Sequence, residues 1–105
     1  MLLMRPYKHP APDEFALERV LYALSDSIRL DIVRRLAHVE AASCGELDGG
    51  RPKSTVSHHF KVLRESGLVL TETTGTMHMN RLRRADIESR FPGLLAAILA
   101  QSAAA

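Results

Sequence analysis

Residues 53–69, KSTVSHHFKVLRESGLV, constrain the fold more than any other stretch, because they predict a helix with two unlike faces and a sharp end. At 100° per residue, the apolar side chains on one face are Val56, Phe60 and Leu63. The polar side carries Ser54, Ser57, His58, Lys61, Arg64 and Glu65. Gly67 followed by Leu68 is typical of a Schellman helix end, in which glycine takes the left-handed conformation. We therefore expect a core that covers one face and leaves the other at the surface.

The adjacent histidines of this helix, His58 and His59, are expected to face different ways, because neighbours on a helix do not share a face. His58 falls on the polar side and can contact a partner. His59 falls at the edge of the apolar face, near Val62 and Ser66. We interpret His59 as a helix-packing residue.

The composition indicates one ordinary globular domain. The chain has 105 residues, of which 46% are hydrophobic and 25% charged, and a core of this size gains from a dimer partner. No apolar run approaches the ~20 residues that cross a bilayer, and the apolar start of MLLMRPYKHPAP is too short for a signal peptide. The single cysteine, Cys44, allows no internal disulfide. We expect a protein of the reducing cytoplasm without a membrane span.

Positive charge is concentrated in the centre of the chain. Residues 51–84 hold seven basic and two acidic side chains, a net charge of +5, which leaves −3 for the rest of a chain whose net charge is +2. The basic residues are Arg51, Lys53, Lys61, Arg64, Arg81, Arg83 and Arg84. A basic centre between acidic flanks is typical of a polyanion-binding face, and a solvated charged face is the alternative.

Three helices are predicted before the 53–69 segment. A flexible arm, residues 1–12, ends in prolines, and apolar residues at helical spacing then predict a first helix over 13–24. The stretch SDSIRLDIVRRLA predicts a second helix with Asp26 as its N-cap. Ser43-Cys44-Gly45-Glu46 fits a capping box that starts a short third helix, which the following Gly-Gly pair ends.

The rest of the chain is predicted to form a β-hairpin and a last helix. LVLTETTGTMHMNRL is rich in β-formers and contains a Thr-Thr-Gly-Thr turn. One helical turn over 86–91 follows, and Pro92, favoured at a first helical position, predicts a helix over PGLLAAILAQ. The tail 102–105 is expected to fray. The order α-α-α-α-β-β-α indicates a mainly α, α+β domain over 13–101.

The first and last helices expose apolar surface that needs a cover. Apolar residues occupy more than half of the first helix, and the last helix has little polar surface. We expect the two helices to cover each other, within one chain and between two. The candidate dimer-interface residues are Phe15, Leu17, Leu21, Leu94, Leu95, Ile98 and Leu99.

The third and fourth helices and the hairpin together predict a winged helix-turn-helix. In this geometry the second helix of the motif enters the DNA major groove, and the wing lies along the backbone or minor groove. Short polar side chains at the start of the inserted helix can hydrogen-bond phosphates or base edges, and basic side chains contact phosphates. The candidate DNA contacts on this helix are Lys53, Ser54, Thr55, Ser57, His58, Lys61 and Arg64.

The sequence resembles the bacterial ArsR-type winged-helix repressors over most of its length. The resembling pieces are YALSDSIRLDIVRRL (22–36), KSTVSHHFKVLRESGLV (53–69) and the hairpin to about Leu82, with Phe60 where leucine is usual and Ser27 where proline is common. The resemblance implies a homodimer joined through the first and last helices, a palindromic double-stranded DNA operator, and release by an effector. By position it assigns DNA reading to Ser54, Thr55, Ser57 and His58, and a backbone contact to Arg81.

We therefore predict a sequence-specific transcriptional regulator, an autoregulating dimeric repressor that responds to a non-metal effector and holds no cofactor. Metal sensing is a weaker alternative, because Cys44 is a single thiol and residues 92–105 contain no His, Asp, Glu or Cys. A thiol-redox sensor is another alternative, since the first turn of a helix favours the reactive thiolate of Cys44. We favour the interpretation of Cys44 as a small residue that packs the third helix. A winged-helix module for protein–protein contact is a third. The sequence has no phosphate loop, nucleophile elbow or paired carboxylates that would indicate an enzyme.

Overall fold

The computed structural model describes residues 7–101, which form helices around a three-stranded sheet. The elements are a 3-10 helix Pro12–Glu14, α1 Leu17–Leu24, α2 Ser27–Leu36, β1 Ala42–Ser43, α3 Cys44–Leu47, α4 Lys53–Ser66, β2 Val69–Thr74, β3 Met77–Leu82, α5 Arg84–Arg90 and α6 Leu94–Leu99. The predicted α+β winged helix-turn-helix is confirmed, with α3 and α4 as the motif and β2–β3 as the wing. The predictions for residues 1–6 and for the tail 102–105 lie outside the described range.

Local signals in the sequence set the ends of the central helices. The Asp26 carboxylate accepts hydrogen bonds of 2.9 and 3.0 Å from two backbone N–H groups in the first turn of α2. Ser43 and Glu46 form the predicted reciprocal capping box at the start of α3. Gly67 ends α4 with a φ of 93°, the left-handed conformation that suits glycine.

The apolar face of α4 lies at the centre of the core. Its three predicted core residues, Val56, Phe60 and Leu63, are all buried, and the helix packs on α1, α2 and β2. Contacts on this face fix the rotation of α4 about its own axis. The opposite face is therefore held at the surface in one orientation.

The wing belongs to an antiparallel sheet with strand order β1-β3-β2. The two-residue β1, which the sequence did not indicate, pairs Ala42 with Asn80 and Ser43 with Met79. The side chain of Asn80 is fully buried; Thr71 Oγ1 donates to its Oδ1 at 2.7 Å, and its Nδ2 donates to the Ala42 carbonyl oxygen at 3.2 Å. These bonds attach the base of the wing to the start of the helix-turn-helix.

The segment before α1 differs from the continuous helix predicted over 13–24. A 3-10 helix, Pro12–Glu14, is followed by extended backbone at Phe15 and Ala16, and α1 begins at Leu17. The extended backbone lets the Phe15 ring bury itself against Gly67. The gain from burying this ring outweighs one more turn of a short helix.

Residues 7–12 of the predicted arm lie against the domain. The backbone N–H of Thr71, in the edge strand β2, donates to Nε2 of His9 at 2.9 Å. Arg83 and Arg90 each donate to a carbonyl oxygen of the arm at 2.8 Å. These contacts fix the described part of the arm on the domain surface.

The two C-terminal helices also differ from their predicted bounds. The single turn expected over 86–91 is the longer helix α5, and α6 covers only Leu94–Leu99. Pro92 precedes the last helix instead of starting it, because Gly93 has a φ of 83° and acts as the N-cap. The Gly93 N–H donates to Glu88 Oε1 at 2.7 Å, which stabilises this turn.

Candidate DNA interface

The polar side of α4 carries most of the predicted DNA contacts at the protein surface. The exposed predicted contacts on α4 are Lys53, Ser54, Thr55, Ser57, His58 and Lys61. We call these six residues the outer face of α4. Small hydroxyl side chains leave room for a duplex, and the two lysines add positive charge along the same surface. The buried apolar side chains on the opposite face of α4 hold this face at the surface in one orientation.

Arg64, the remaining predicted contact on α4, makes a contact within the protein. Its guanidinium carbon lies 4.3 Å from the centre of the Tyr7 ring, a cation–π distance. The Tyr7 hydroxyl shares a hydrogen bond of 2.8 Å with Nδ1 of His78 in β3. We call Arg64, Tyr7 and His78 the clamp, because together they join α4, the arm and the wing.

Arg81 of the wing, the predicted contact to the DNA backbone, is exposed and forms ion pairs with two glutamates. Its Nε lies 3.3 Å from Glu72 Oε1, and its Nη1 lies 3.7 Å from Glu40 Oε1. Exposed pairs of this kind contribute little to stability, about 0–1 kcal/mol. These ion pairs therefore hold the Arg81 side chain only weakly in its present position.

His59, predicted as a half-buried packing residue at the edge of the apolar face, is buried and belongs to a polar network under α4. The guanidinium of Arg29 is buried, and it donates through Nε to the Ala23 carbonyl oxygen at 2.8 Å and through Nη2 to the Tyr22 carbonyl oxygen at 3.2 Å. Its Nη1 lies 3.2 Å from Nδ1 of His59. A guanidinium only donates, so Nδ1 of His59 is the acceptor. The carboxylate of Asp26 lies 3.8 Å from the same nitrogen.

The pKa values of His9 and His59 are both lowered from the ordinary 6.5. Burial is the largest cause at each residue, and for His9 the positive charge of Arg83 adds to it. For His59 the nearby Asp26 carboxylate opposes the lowering, while Arg29 reinforces it. Nε2 of His9 accepts a hydrogen bond from the Thr71 N–H, and Nδ1 of His59 accepts one from Arg29. A ring nitrogen accepts a hydrogen bond only when the imidazole is neutral.

Acidification is therefore expected to destabilise the fold through these two histidines. Their folded-state pKa values lie below 6.5, so the unfolded chain binds more protons as the pH falls through 6.5, and stability is lost from there downward. Each histidine contributes a slope of at most about 1.4 kcal/mol per pH unit. Urea unfolding at pH 7.5 and pH 5.5 measures this loss.

A His9→Gln/His59→Gln variant should lose less stability than the wild type over the same pH interval. His38→Gln is the matched control, because the His38 side chain is exposed and outside both networks. An equal loss in the double variant and the wild type would contradict the assignment of the acid sensitivity to His9 and His59.

Cys44 lies half-buried at the first position of α3, where it contacts the wing. Its Sγ accepts a hydrogen bond from Asn80 Nδ2 at 3.3 Å. This contact favours the interpretation of Cys44 as a packing residue. A redox role for Cys44 stays a prediction.

The predicted dimer residues fall into two groups. Leu17 and Leu21 are 44% and 46% exposed on α1, and on α6 the partly buried ones are Leu94, Ile98 and Leu99. Phe15 and Leu95 are 4% and 1% exposed. The side chains of Phe15 and Leu95 therefore pack in the core of this chain and offer no surface to a partner.

Within residues 7–101, no three His, Cys, Asp or Glu side chains are grouped so that they could hold a metal ion. No helix in the same range is long and apolar enough to cross a membrane.

Residues 24–72 match the family described as a helix-turn-helix domain. An uncharacterized HTH-type transcriptional regulator of Bacillus subtilis (strain 168), YceK, is 36% identical over 86 residues, which cover 79% of this chain and 86% of that protein. The arsenical resistance operon repressor of Staphylococcus aureus is 36% identical over 73 residues, 69% of this chain and 70% of the repressor. The chain belongs to the ArsR family.

Solved structures agree with this ArsR-family assignment. The transcriptional repressor BigR from Xylella fastidiosa is 31% identical, with a TM-score of 0.58 over 71% of this chain and 85% of BigR. A crystal structure of another ArsR family transcriptional regulator has a TM-score of 0.66 over 77% of this chain and 90% of the other; at 20% identity it shows the shared fold alone. This ArsR-family protein is a DNA-binding helix-turn-helix regulator of the repressor type.

Two contacts of the site, one in the clamp and one under α4, were not predicted from the sequence of this ArsR-family protein. Tyr7 and His78 are 71 positions apart, and Arg29 and His59 are 30 apart, so no local spacing indicates either contact. A buried arginine is also rare enough that solvent exposure is the ordinary expectation for Arg29. Only the fold brings these side chains together.

Proposed function

We propose that this protein is a homodimeric, autoregulating repressor in the cytoplasm that binds a palindromic operator through the outer face of α4. The observation that carries the proposal is the exposure of six short polar or basic side chains on one helix whose opposite face is fixed in the core. In a helix-turn-helix protein this helix enters the major groove. The wing then lies beside the DNA backbone.

The side chains of the outer face fall into two chemical groups, those that suit base edges or phosphates and those that suit phosphates. The hydroxyls of Ser54, Thr55 and Ser57 and the imidazole of His58 accept and donate hydrogen bonds, which suits base edges or phosphates. The exposed ammonium groups of the two lysines suit phosphates. Arg81 on the wing contributes a further backbone contact.

Exposed apolar side chains on α1 support a dimer. Leu17 and Leu21 are one helical turn apart, both nearly half exposed, and α6 adds partly buried leucine and isoleucine side chains. A second copy that covers this surface removes apolar area from water, and the gain is about 25 cal/mol per Å². Two-fold symmetry then presents two copies of α4 to half-sites one helical turn apart, ~34–36 Å.

Release from the operator follows from a shift between two dimer conformations. An effector that binds better to a dimer with a different separation of its recognition helices draws the population away from the DNA-binding form. We propose a non-metal effector, because the described residues contain no grouped set of metal ligands and Cys44 offers one thiol.

A Leu17→Glu/Leu21→Glu variant is expected to be monomeric and to bind the operator at least about tenfold more weakly, because two carboxylates replace the apolar seam. Analytical ultracentrifugation measures the mass, and fluorescence anisotropy measures operator affinity. Val39→Glu is the matched control, since Val39 is also an exposed apolar residue, 49%, but lies in the loop between α2 and β1. A folded double variant that stays dimeric would place the interface elsewhere.

A further inference from the structure

A cavity of about 260 Å³ lies between the helix-turn-helix and the wing. Its lining residues come from α3 and the residue after it, from α4, from β3 and from the arm. The three clamp residues line it, and so do Cys44 and Gly45. The cavity therefore touches both helices of the helix-turn-helix, strand β3 of the wing and the arm.

The lining has an apolar interior and a polar rim. Val56 and Phe60, both buried core residues, supply the apolar surface together with the Tyr7 ring. The rim carries hydroxyl, thiol, imidazole and charged groups; these polar lining residues are Cys44, Asp48, Lys53, Ser57, Arg64 and His78. Small-molecule sites in proteins combine apolar walls with a few placed polar groups in this way.

The charges of the rim favour an anion. Two cations, Lys53 and Arg64, face one carboxylate, Asp48, whose Oδ1 already accepts a hydrogen bond from the Gly50 N–H at 2.8 Å. Among residues 7–101, no hydrogen bond or ion pair holds the exposed ammonium of Lys53. A carboxylate placed at this rim would gain a charge-assisted hydrogen bond from that ammonium.

We propose that this cavity binds a small organic carboxylate, with an apolar or aromatic body against Val56, Phe60 and Tyr7 and its carboxylate at Lys53. The volume of about 260 Å³ lies just below the usual range of ligand pockets, roughly 300–1,000 Å³, which limits the ligand to roughly one ring or a short chain with its acid group. We further propose that the bound acid weakens operator binding, and this part rests on the proposed repressor function.

The coupling between acid and DNA is built into shared residues. Lys53 and Ser57 belong both to the cavity lining and to the outer face of α4. An acid that engages Lys53 removes a cation from the DNA surface. Its apolar body also contacts the Tyr7 ring of the clamp. Tyr7 is hydrogen-bonded to His78 of the wing and makes a cation–π contact with Arg64 of α4. Bound acid then lowers the affinity for DNA, and bound DNA lowers the affinity for the acid by the same factor.

Benzoate is the probe, and two-dimensional ¹H–¹⁵N NMR of the full chain without DNA is the measurement. Saturable shifts are expected for backbone amides at the cavity, Gly45 and Ser57 among them, with benzamide binding about tenfold more weakly because it lacks the charge. Lys53→Gln should weaken benzoate binding about tenfold. Lys61→Gln is the matched control, since Lys61 is an exposed lysine on the same helix outside the cavity, and it should bind benzoate as the wild type does.

Three outcomes would overturn the proposal: no saturable shifts at the cavity amides, equal binding of benzamide and benzoate, or equal effects of the two lysine substitutions. A second titration, benzoate into the protein–operator complex, should raise the operator Kd of the wild type at least about tenfold. An acid that occupies the cavity and leaves operator affinity unchanged would overturn the signalling part. Because the NMR titration needs no DNA, absence of operator binding would count against the proposed function and not against the cavity.

Discussion

Gly67→Ala is expected to destabilise the protein by about 3 kcal/mol or more. The φ of Gly67 is +93°, a conformation that costs an L-residue about 1–2 kcal/mol. In addition, a Cβ at this position would overlap the Phe15 ring, lying 2.6 Å from Cδ1 and 2.7 Å from Cζ. Because the ring is buried in the core, relief of this overlap requires the ring, the end of α4 or the segment before α1 to shift.

Gly75→Ala in the turn of the wing is the matched control for this substitution. Gly75 has a φ of +62°, and nothing lies within 4 Å of a Cβ built there. Gly75→Ala therefore has only the conformational cost, about 1 kcal/mol, and no steric overlap. Urea unfolding compares the two variants. In a Phe15→Ala background, the cost of Gly67→Ala should fall to that of Gly75→Ala; equal costs in the wild-type background would show that the contact with Phe15 has no energetic role.

Ser57→Glu is expected to weaken operator binding by at least about 100-fold, or ~2.7 kcal/mol, without unfolding the protein. Ser57 is exposed in the middle of the outer face, so glutamate meets no core atom there. On DNA, however, its carboxylate lies among phosphates, replaces a hydroxyl that can donate a hydrogen bond, and cancels the charge of one neighbouring lysine. Fluorescence anisotropy at two salt concentrations measures both the affinity and its salt dependence.

Ser89→Glu is the control for the added charge. Ser89 is an exposed serine on α5, away from the outer face of α4, so the same change alters the net charge without touching the proposed contact surface. Its operator affinity should stay within about threefold of the wild type. If both serine variants lose affinity equally, net charge and not the outer face of α4 determines binding.

The parts of this fold that were predictable from the sequence are those with a local cause. Asp26, the capping box of Ser43 and Glu46, and Gly67 each satisfy or end a helix within a few residues, so their roles are visible in the printed sequence. The apolar spacing of α4 gave both its buried and its outer face for the same reason.

The parts that escaped prediction depend on contacts between distant residues. Phe15 belongs to the core because Gly67 makes room for its ring, a contact across 52 positions that changes the backbone before α1. The strand β1 has only two residues, and it exists because β3 offers it a partner. The clamp and the cavity beside it likewise require the arm, α4 and the wing to be assembled first. No pattern within one segment carries that information.

We propose that this ArsR-family protein binds a specific DNA sequence as a dimer, and its affinity for two matched duplexes tests this most directly. Fluorescence anisotropy near physiological salt compares a duplex from just upstream of its own gene with a shuffled duplex of equal composition. The proposal predicts a Kd of roughly 10⁻⁸ M or lower for the first duplex, two chains per duplex, and binding to the second at least about 10³-fold weaker. Equally weak binding to both duplexes would contradict the account of an autoregulating repressor.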